Sequence, residues 1–227
     1  MTNTEKWQQA AKAFLARTRK ELWGKAGPNT QVQLYHMGFS VNESLDALLG
    51  WNPHPMKRTS DKWGLTGDPL VLPPGIVVPW VKDTEIRRLS IYLCEGDRQG
   101  EICLVPGSDR GPRITGVDNP AVVVVAGDLA GLRVELAAAG RADLVVLPYA
   151  DADAARDDAV RMRVQQADTC LVFGNEALCR NLEAATGRVL DKGREPIFTD
   201  DGVGNAGISL LNAWLSANSR TGLEAVM

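Results

Sequence analysis

The run Ala121-Val-Val-Val-Val-Ala-Gly-Asp-Leu-Ala-Gly-Leu-Arg133 decides how this chain is read. Its unbroken valines predict a strand buried on both faces, because a strand with one wet face alternates apolar and polar residues. Gly127 supplies a tight turn, and helical spacing begins at Leu129. A strand that runs through one glycine into a helix is the unit of a parallel α/β sheet.

Downstream the same unit recurs. Strands are predicted at Leu144–Leu147 and Thr169–Phe173, with a weaker fourth around Arg188–Leu190. Helices are predicted at Leu129–Ala139, Ala152–Gln166 and Glu176–Thr186, and a last helix at Ser209–Leu215. This βαβαβα order predicts a parallel sheet with helices on both faces.

Upstream the pattern differs. Trp7–Trp23 has helical spacing, with Trp7, Ala10, Ala11, Phe14 and Leu15 on one side. Thr30–Tyr35 starts a second helix. Ser40 with Glu43 forms a capping-box pattern ahead of a short helix, Val41–Leu49, stopped by Gly50. Trp51–Gly75 reads as a packed loop rich in proline and glycine. Gly75–Trp80, Glu85–Cys94 and Gly100–Val105 then predict an antiparallel meander. Pro106–Pro120 reads as another loop. The fold class is α/β: an N-terminal helical region with a small antiparallel sheet, followed by a parallel α/β domain. The expected divisions are residues 1–120, 121–195 and 196–227.

The chain has 227 residues, 44% of them hydrophobic and 23% charged, with a formal net charge of −3. That composition suits a globular core and excludes a disordered chain. No apolar run reaches the length of a membrane span, and the N-terminus lacks the basic and apolar regions of a signal peptide. No membrane partner and a cytoplasmic location are therefore expected. Cys94, Cys103, Cys170 and Cys179 lack CxxC spacing, so buried free thiols are expected. His36 and His54 are not at zinc-ligand spacing from a cysteine pair. No Ser-His-Asp set is suggested either. Gly202–Gly207 has GxGxxG spacing but follows no strand, so it is not read as a nucleotide fingerprint. Lys82, Arg87, Arg88, Arg110 and Arg113 thread the middle of the chain. They read as a nucleic-acid groove or, equally, as solvated surface charge.

Several motifs in order carry a family resemblance. Val122–Leu132 resembles the first motif of the TOPRIM domain of bacterial DnaG-type primases, a strand ending in Glu-Gly with an Asp three residues after the Gly. Thr169-Cys-Leu-Val-Phe-Gly-Asn-Glu-Ala177 resembles the second, a strand followed by Asp-x-Asp. Gln33-Leu-Tyr-His-Met-Gly-Phe-Ser40 and Leu49-Gly-Trp-Asn-Pro53 are similar to the helical entry of phage- and plasmid-type primases. Trp63-Gly-Leu65, Leu72-Pro-Pro-Gly-Ile-Val-Val-Pro-Trp80 and Val105-Pro-Gly-Ser108 resemble further segments of that family. The resemblance implies a TOPRIM fold and Mg²⁺-dependent synthesis of an RNA primer on DNA. It also implies single-stranded DNA or primed template as partner, with a helicase or zinc-binding primase module alongside.

The chain departs from the pattern where the chemistry would sit. Mg²⁺ is a hard cation that takes oxygen ligands. In the family's register the acids become Ala126, Ala130, Phe173 and Asn175, which cannot replace a set of carboxylates. The family's basic pair after the second-strand isoleucine becomes Tyr92-Leu93, and Ile102-Cys103 replaces its Lys-Tyr. The leading expectation is a catalytically degenerate primase-like protein of DNA replication or phage or plasmid maintenance, without cofactor, that binds DNA or a partner. One alternative is an active Mg²⁺-dependent primase whose ligands have moved to Asp128, Asp151, Asp153 and Glu176. Asp151, Asp153 and Glu176 read more readily as acids in or just before a helix's first turn, where carboxylates complement the dipole. The other alternative is a protein–protein module without a nucleic-acid role.

Overall fold

The structure is a computed structural model that describes residues 1–94, 96–116, 118–149, 152–193, 197 and 206–218. The chain divides into two compact units at Arg110/Gly111.

In the first unit, helix α1 (Asn3–Leu22) starts at a capping box. Thr2 accepts from the Glu5 amide, and the Glu5 carboxylate accepts from the Thr2 amide at 2.6 Å. Its buried face, Trp7, Ala11, Phe14, Leu15, Thr18 and Leu22, follows the helical repeat. Helices α2 (Pro28–His36) and α3 (Val41–Asp46) follow, the first with proline in its opening turn and the second behind the expected Ser40–Glu43 box. α3 is shorter than expected, and Gly50 does not end it. Gly50 opens strand β1 (Gly50–Asn52), where a Cβ would lie 2.4 Å from Thr18 Oγ1. The glycine therefore lets strand and helix touch.

The expected loop at 51–75 also carries strands: β1, β2 (Met56–Arg58) and β3 (Leu70–Leu72), with a 3-10 turn at Ser60–Trp63. Three residues between prolines show no readable period. β4 (Gly75–Lys82), β5 (Glu85–Tyr92) and β6 (Ile102–Leu104) form the predicted meander, and β1 joins its edge in the order β1-β4-β5-β6. The core of this unit brings Trp7, Phe14 and Leu15 of α1 together with Val77, Leu89 and Ile91 of the sheet.

The second unit begins earlier than residue 121. Strand β7 (Arg113–Thr115), inside the expected Pro106–Pro120 loop, pairs antiparallel with β9 (Asp143–Leu147). β8 (Ala121–Ala126), β9 and β10 (Thr169–Phe173) are parallel, and the five-stranded order is β11-β10-β8-β9-β7. β11 is only Asp191–Lys192, displaced from the expected 188–190.

Val122 and Val124 pack on one side of the sheet with Val160 and Val164 of α5 (Asp158–Gln166) and Leu178 and Leu182 of α6 (Glu176–Thr186). Val123 and Val125 pack on the other with Val134 of α4 (Asp128–Ala138) and Leu211 and Leu215 of α7 (Ala206–Asn218). Two buried faces explain the unbroken valine run. α7 thus belongs to this core and is not a separate piece. The helix expected over 152–166 is interrupted. Asp157 is extended and caps α5 by accepting from the Ala159 and Val160 amides, which leaves Ala152–Arg156 as a 3-10 turn. Asp200, Asp201 and Gly202–Asn205 lie outside the described residues.

Candidate functional site

Parallel β8, β9 and β10 end at one edge of their sheet, where open α/β folds place ligands. Ala126 is the last residue of β8, and Gly127 turns the chain with φ 90° while its amide donates to the Leu147 carbonyl. Ala130 follows in the first turn of α4, packed against the core on that side. On β10, Phe173 ends the strand one register step from this edge, opposite Val125. Its ring lies against Gly193, where a Cβ would come within 2.3 Å of the ring. Asn175 is the N-cap of α6, its side-chain oxygen accepting from the Leu178 amide at 2.8 Å.

The four motif positions are thus gathered at neighbouring strand ends. Two methyls and a buried phenyl supply no oxygen, and the one amide oxygen is committed to a helix cap. This donor set does not fit Mg²⁺. The acids considered as relocated ligands are placed as follows. Asp128 is buried in the first turn of α4, with an interaction of its own. Asp153 is exposed and pairs with Arg156 at 3.1 Å, and Glu176 is exposed in the first turn of α6. Asp151 lies outside the described residues. Among the described residues no group of three or more His, Cys, Asp or Glu side chains is arranged to hold a metal.

The basic residues separate into two kinds. Lys82 and Arg87 are exposed on β4 and β5, with Arg87 3.2 Å from Glu85. Arg110 is also exposed, and it follows Asp109, whose amide donates to the Arg87 carbonyl at 2.8 Å. Arg87 and Arg110 are therefore close neighbours, a proximity no spacing argument could supply. Arg88 and Arg113 differ from the expectation of surface cations. Arg88 is fully buried, its guanidinium 4.8 Å from the Trp80 ring centroid and within hydrogen-bond reach of the Asp109 carbonyl. Arg113, in the second unit, is 11% exposed and pairs with Glu135 at 2.8 Å. Strand alternation puts Arg87 and Arg88 on opposite faces of β5, and the face that carries Arg88 is covered by Trp80.

Sequence reasoning missed the buried pair Asp143–Arg163, 2.6 Å apart at the start of β9. A signal existed: Arg163 stands beside Val160 and Val164 on the buried face of α5. Cys170, in mid-β10, is likewise structural, and burial pushes its thiol up to about 12. All four cysteines are free.

No family model and no curated protein matches the chain. Solved structures do. The chain is similar to a DnaG primase catalytic domain bound to single-stranded DNA, with TM-score 0.62 and 13% identity over 95% of this chain and 79% of that one. It is similar to the DnaG catalytic core, with TM-score 0.59 and 13% identity over 84% of this chain and 74% of that one. The zinc-binding and RNA polymerase domains of the Aquifex aeolicus primase match with TM-score 0.59 and 14% identity over 96% of this chain and 62% of that one. At such identities the likeness is one of fold: the chain has the fold of a DnaG-type primase core.

Proposed function

We propose that this chain is a primase-like protein of DNA replication or mobile-element maintenance that binds single-stranded DNA without Mg²⁺-dependent nucleotidyl transfer. The observation that carries this reading is the donor set at the strand ends: Ala126, Ala130, Phe173 and Asn175 stand where the resembled motifs place acids. Without oxygen ligands there is no Lewis acid to neutralise charge on a transferring phosphoryl group. No cofactor is required for binding. The fold shared with a catalytic domain solved on single-stranded DNA supports DNA as ligand. Arg87 and Arg110, exposed and fixed near one another by the Asp109–Arg87 backbone bond, supply guanidiniums that pair bidentately with phosphate. Lys82 adds a third charge on the same sheet. A helicase or a zinc-binding primase module supplied by another chain would provide the remaining functions.

Two measurements test this. Templated primer synthesis is assayed with Mg²⁺ and with Mn²⁺ on single-stranded DNA, and no product is expected. Metal-dependent primer would overturn the proposal in favour of relocated ligands. Binding of oligo(dT) is followed by anisotropy across a salt series. Each lost single-strand phosphate contact lowers the log–log slope by about 0.7, so Arg87→Gln with Arg110→Gln should remove roughly 1.4. Absence of salt-dependent binding would leave a protein–protein module instead.

A further inference from the structure

The first unit contains a cavity of about 580 Å³ that the strand-end site does not involve. That volume falls within the range of real ligand pockets. Its floor is Ala10, Ala13 and Phe14 of α1 with Met56 and Trp63. Its walls carry Lys6, Arg17, Arg58 and Lys62 against a single acid, Asp61. Asp61 is already held by Lys6 at 2.7 Å, which keeps its carboxyl below the usual range. Three cations therefore remain uncompensated by any acid of the lining.

Part of the lining runs along α1. Lys6, Ala10, Ala13 and Arg17 follow the helical repeat along one face of α1, beside the buried Trp7–Leu22 face, with Ala10 packed partly against the core. Lys6 and Arg17 are eleven helical steps apart, a rise of about 16 Å. An extended peptide of roughly five residues covers the same distance. The small side chains at Ala10 and Ala13 open a trough, and cations stand at both of its ends.

We propose that this groove binds a short acidic peptide segment of a partner protein, with an apolar side chain on the Ala10–Ala13 floor and carboxylates against Arg17, Arg58 and Lys62. The charge of the walls selects an anion. The floor selects a peptide over a nucleic acid: Phe14 and Trp63 are 5% and 3% exposed and pack edge-to-face at 6.1 Å, so no aromatic face is open for a base to stack on. The proposal goes beyond the DNA-binding reading and rests on different residues, so either can fail alone.

The test uses the full chain and a fluorescein-labelled nonapeptide of alternating aspartate and leucine, read by anisotropy. Saturable binding is expected. Arg17→Glu with Lys62→Glu should weaken it at least tenfold, and Ala13→Trp, which fills the trough from an exposed position, should abolish it. Circular dichroism and the melting temperature verify that each variant is folded. Neither change should alter the salt slope for oligo(dT), and Arg87→Gln with Arg110→Gln should not alter peptide binding. The proposal is overturned if the peptide does not bind, or if a lysine–leucine nonapeptide binds equally. It is also overturned if oligo(dT) displaces the acidic peptide, or if both groove variants bind like the original chain.

Discussion

Replacing Arg163 by methionine should be among the most damaging single changes in the second unit, although it sits on α5 and meets Asp143 at the opposite end of β9 from the candidate site. Arg163 donates to Asp143 at 2.6 Å and also to the Asn119 carbonyl. Its side chain is 6% exposed and that of Asp143 9%. The Asp143 carboxylate also accepts from the Asn119 amide at 3.1 Å, so the trio ties the approach to β8 to the start of β9. Methionine fills much of the volume but leaves a buried carboxylate with one amide donor in place of a guanidinium. Removing one partner of a buried pair costs about 3–5 kcal/mol. For a unit of this size, that corresponds to a fall in melting temperature of roughly 10–20 °C. The double change Asp143→Leu with Arg163→Met removes both charges and adds only the stranded Asn119 amide, at about 1–3 kcal/mol, to the Asn119 carbonyl that the single change already deprives of its donor. The double variant should therefore be more stable than Arg163→Met alone. Urea and thermal unfolding followed by circular dichroism provide both numbers. A single-variant loss below about 1 kcal/mol, or a double variant no more stable than the single, would refute the argument that buried charge compensation holds this corner.

Arg88→Met should destabilise the first unit by at least about 1–2 kcal/mol, through the lost Trp80 and Asp109 contacts, yet leave the salt slope for oligo(dT) unchanged; a reduced slope would return Arg88 to the phosphate contacts. Gly131→Ala would place a Cβ 2.5 Å from Val146 Cγ1, in the packing of α4 on β9, and should cost about 1–3 kcal/mol. Val146→Ala should recover part of that loss, and a neutral Gly131→Ala would show that helix and strand can separate freely. The Cys170 thiol stays protonated in the folded chain until about 12, whereas an unperturbed thiol ionises near 9.0. Stability from this group is therefore complete below pH 9 and drains away between pH 9 and 12. Urea midpoints measured across that range should fall less steeply for Cys170→Ala, and equal slopes would show that the thiol does not contribute.

Long periodic segments were legible in the sequence, and short or interrupted ones were not. α1 and α6 were readable because their buried faces repeat over several turns, although the Thr2–Glu5 cap starts α1 at Asn3, four residues before the predicted Trp7, and the Asn175 cap of α6 was not read as one. β1, β2, β3 and β7 have three residues each, and such strands exist because a neighbour pairs with them. The break in the 152–166 helix was written at Asp157, a good N-cap, but an aspartate inside a helical pattern reads equally well as a solvated side chain. Basic residues were the least legible. Arg87 and Arg88 are adjacent and chemically identical, and only the cover provided by Trp80 makes one of them structural.

By itself, the sequence determined that valines 122–125 form a strand buried on both faces, that a glycine turns it into a helix, and that alanine and phenylalanine stand where the resembled motifs carry acids. Those conclusions depend on side-chain chemistry and short-range periodicity, which the order of residues records directly. Tertiary structure decided which strands are neighbours, so that Ala126, Phe173 and Asn175 share one sheet edge. It also decided that Arg110 approaches Arg87, that Arg163 meets Asp143, and that the unused face of α1 becomes a cationic trough. Each of these depends on long-range pairing, whose closure entropy is offset only when the whole core assembles, and no local stretch of sequence encodes that outcome.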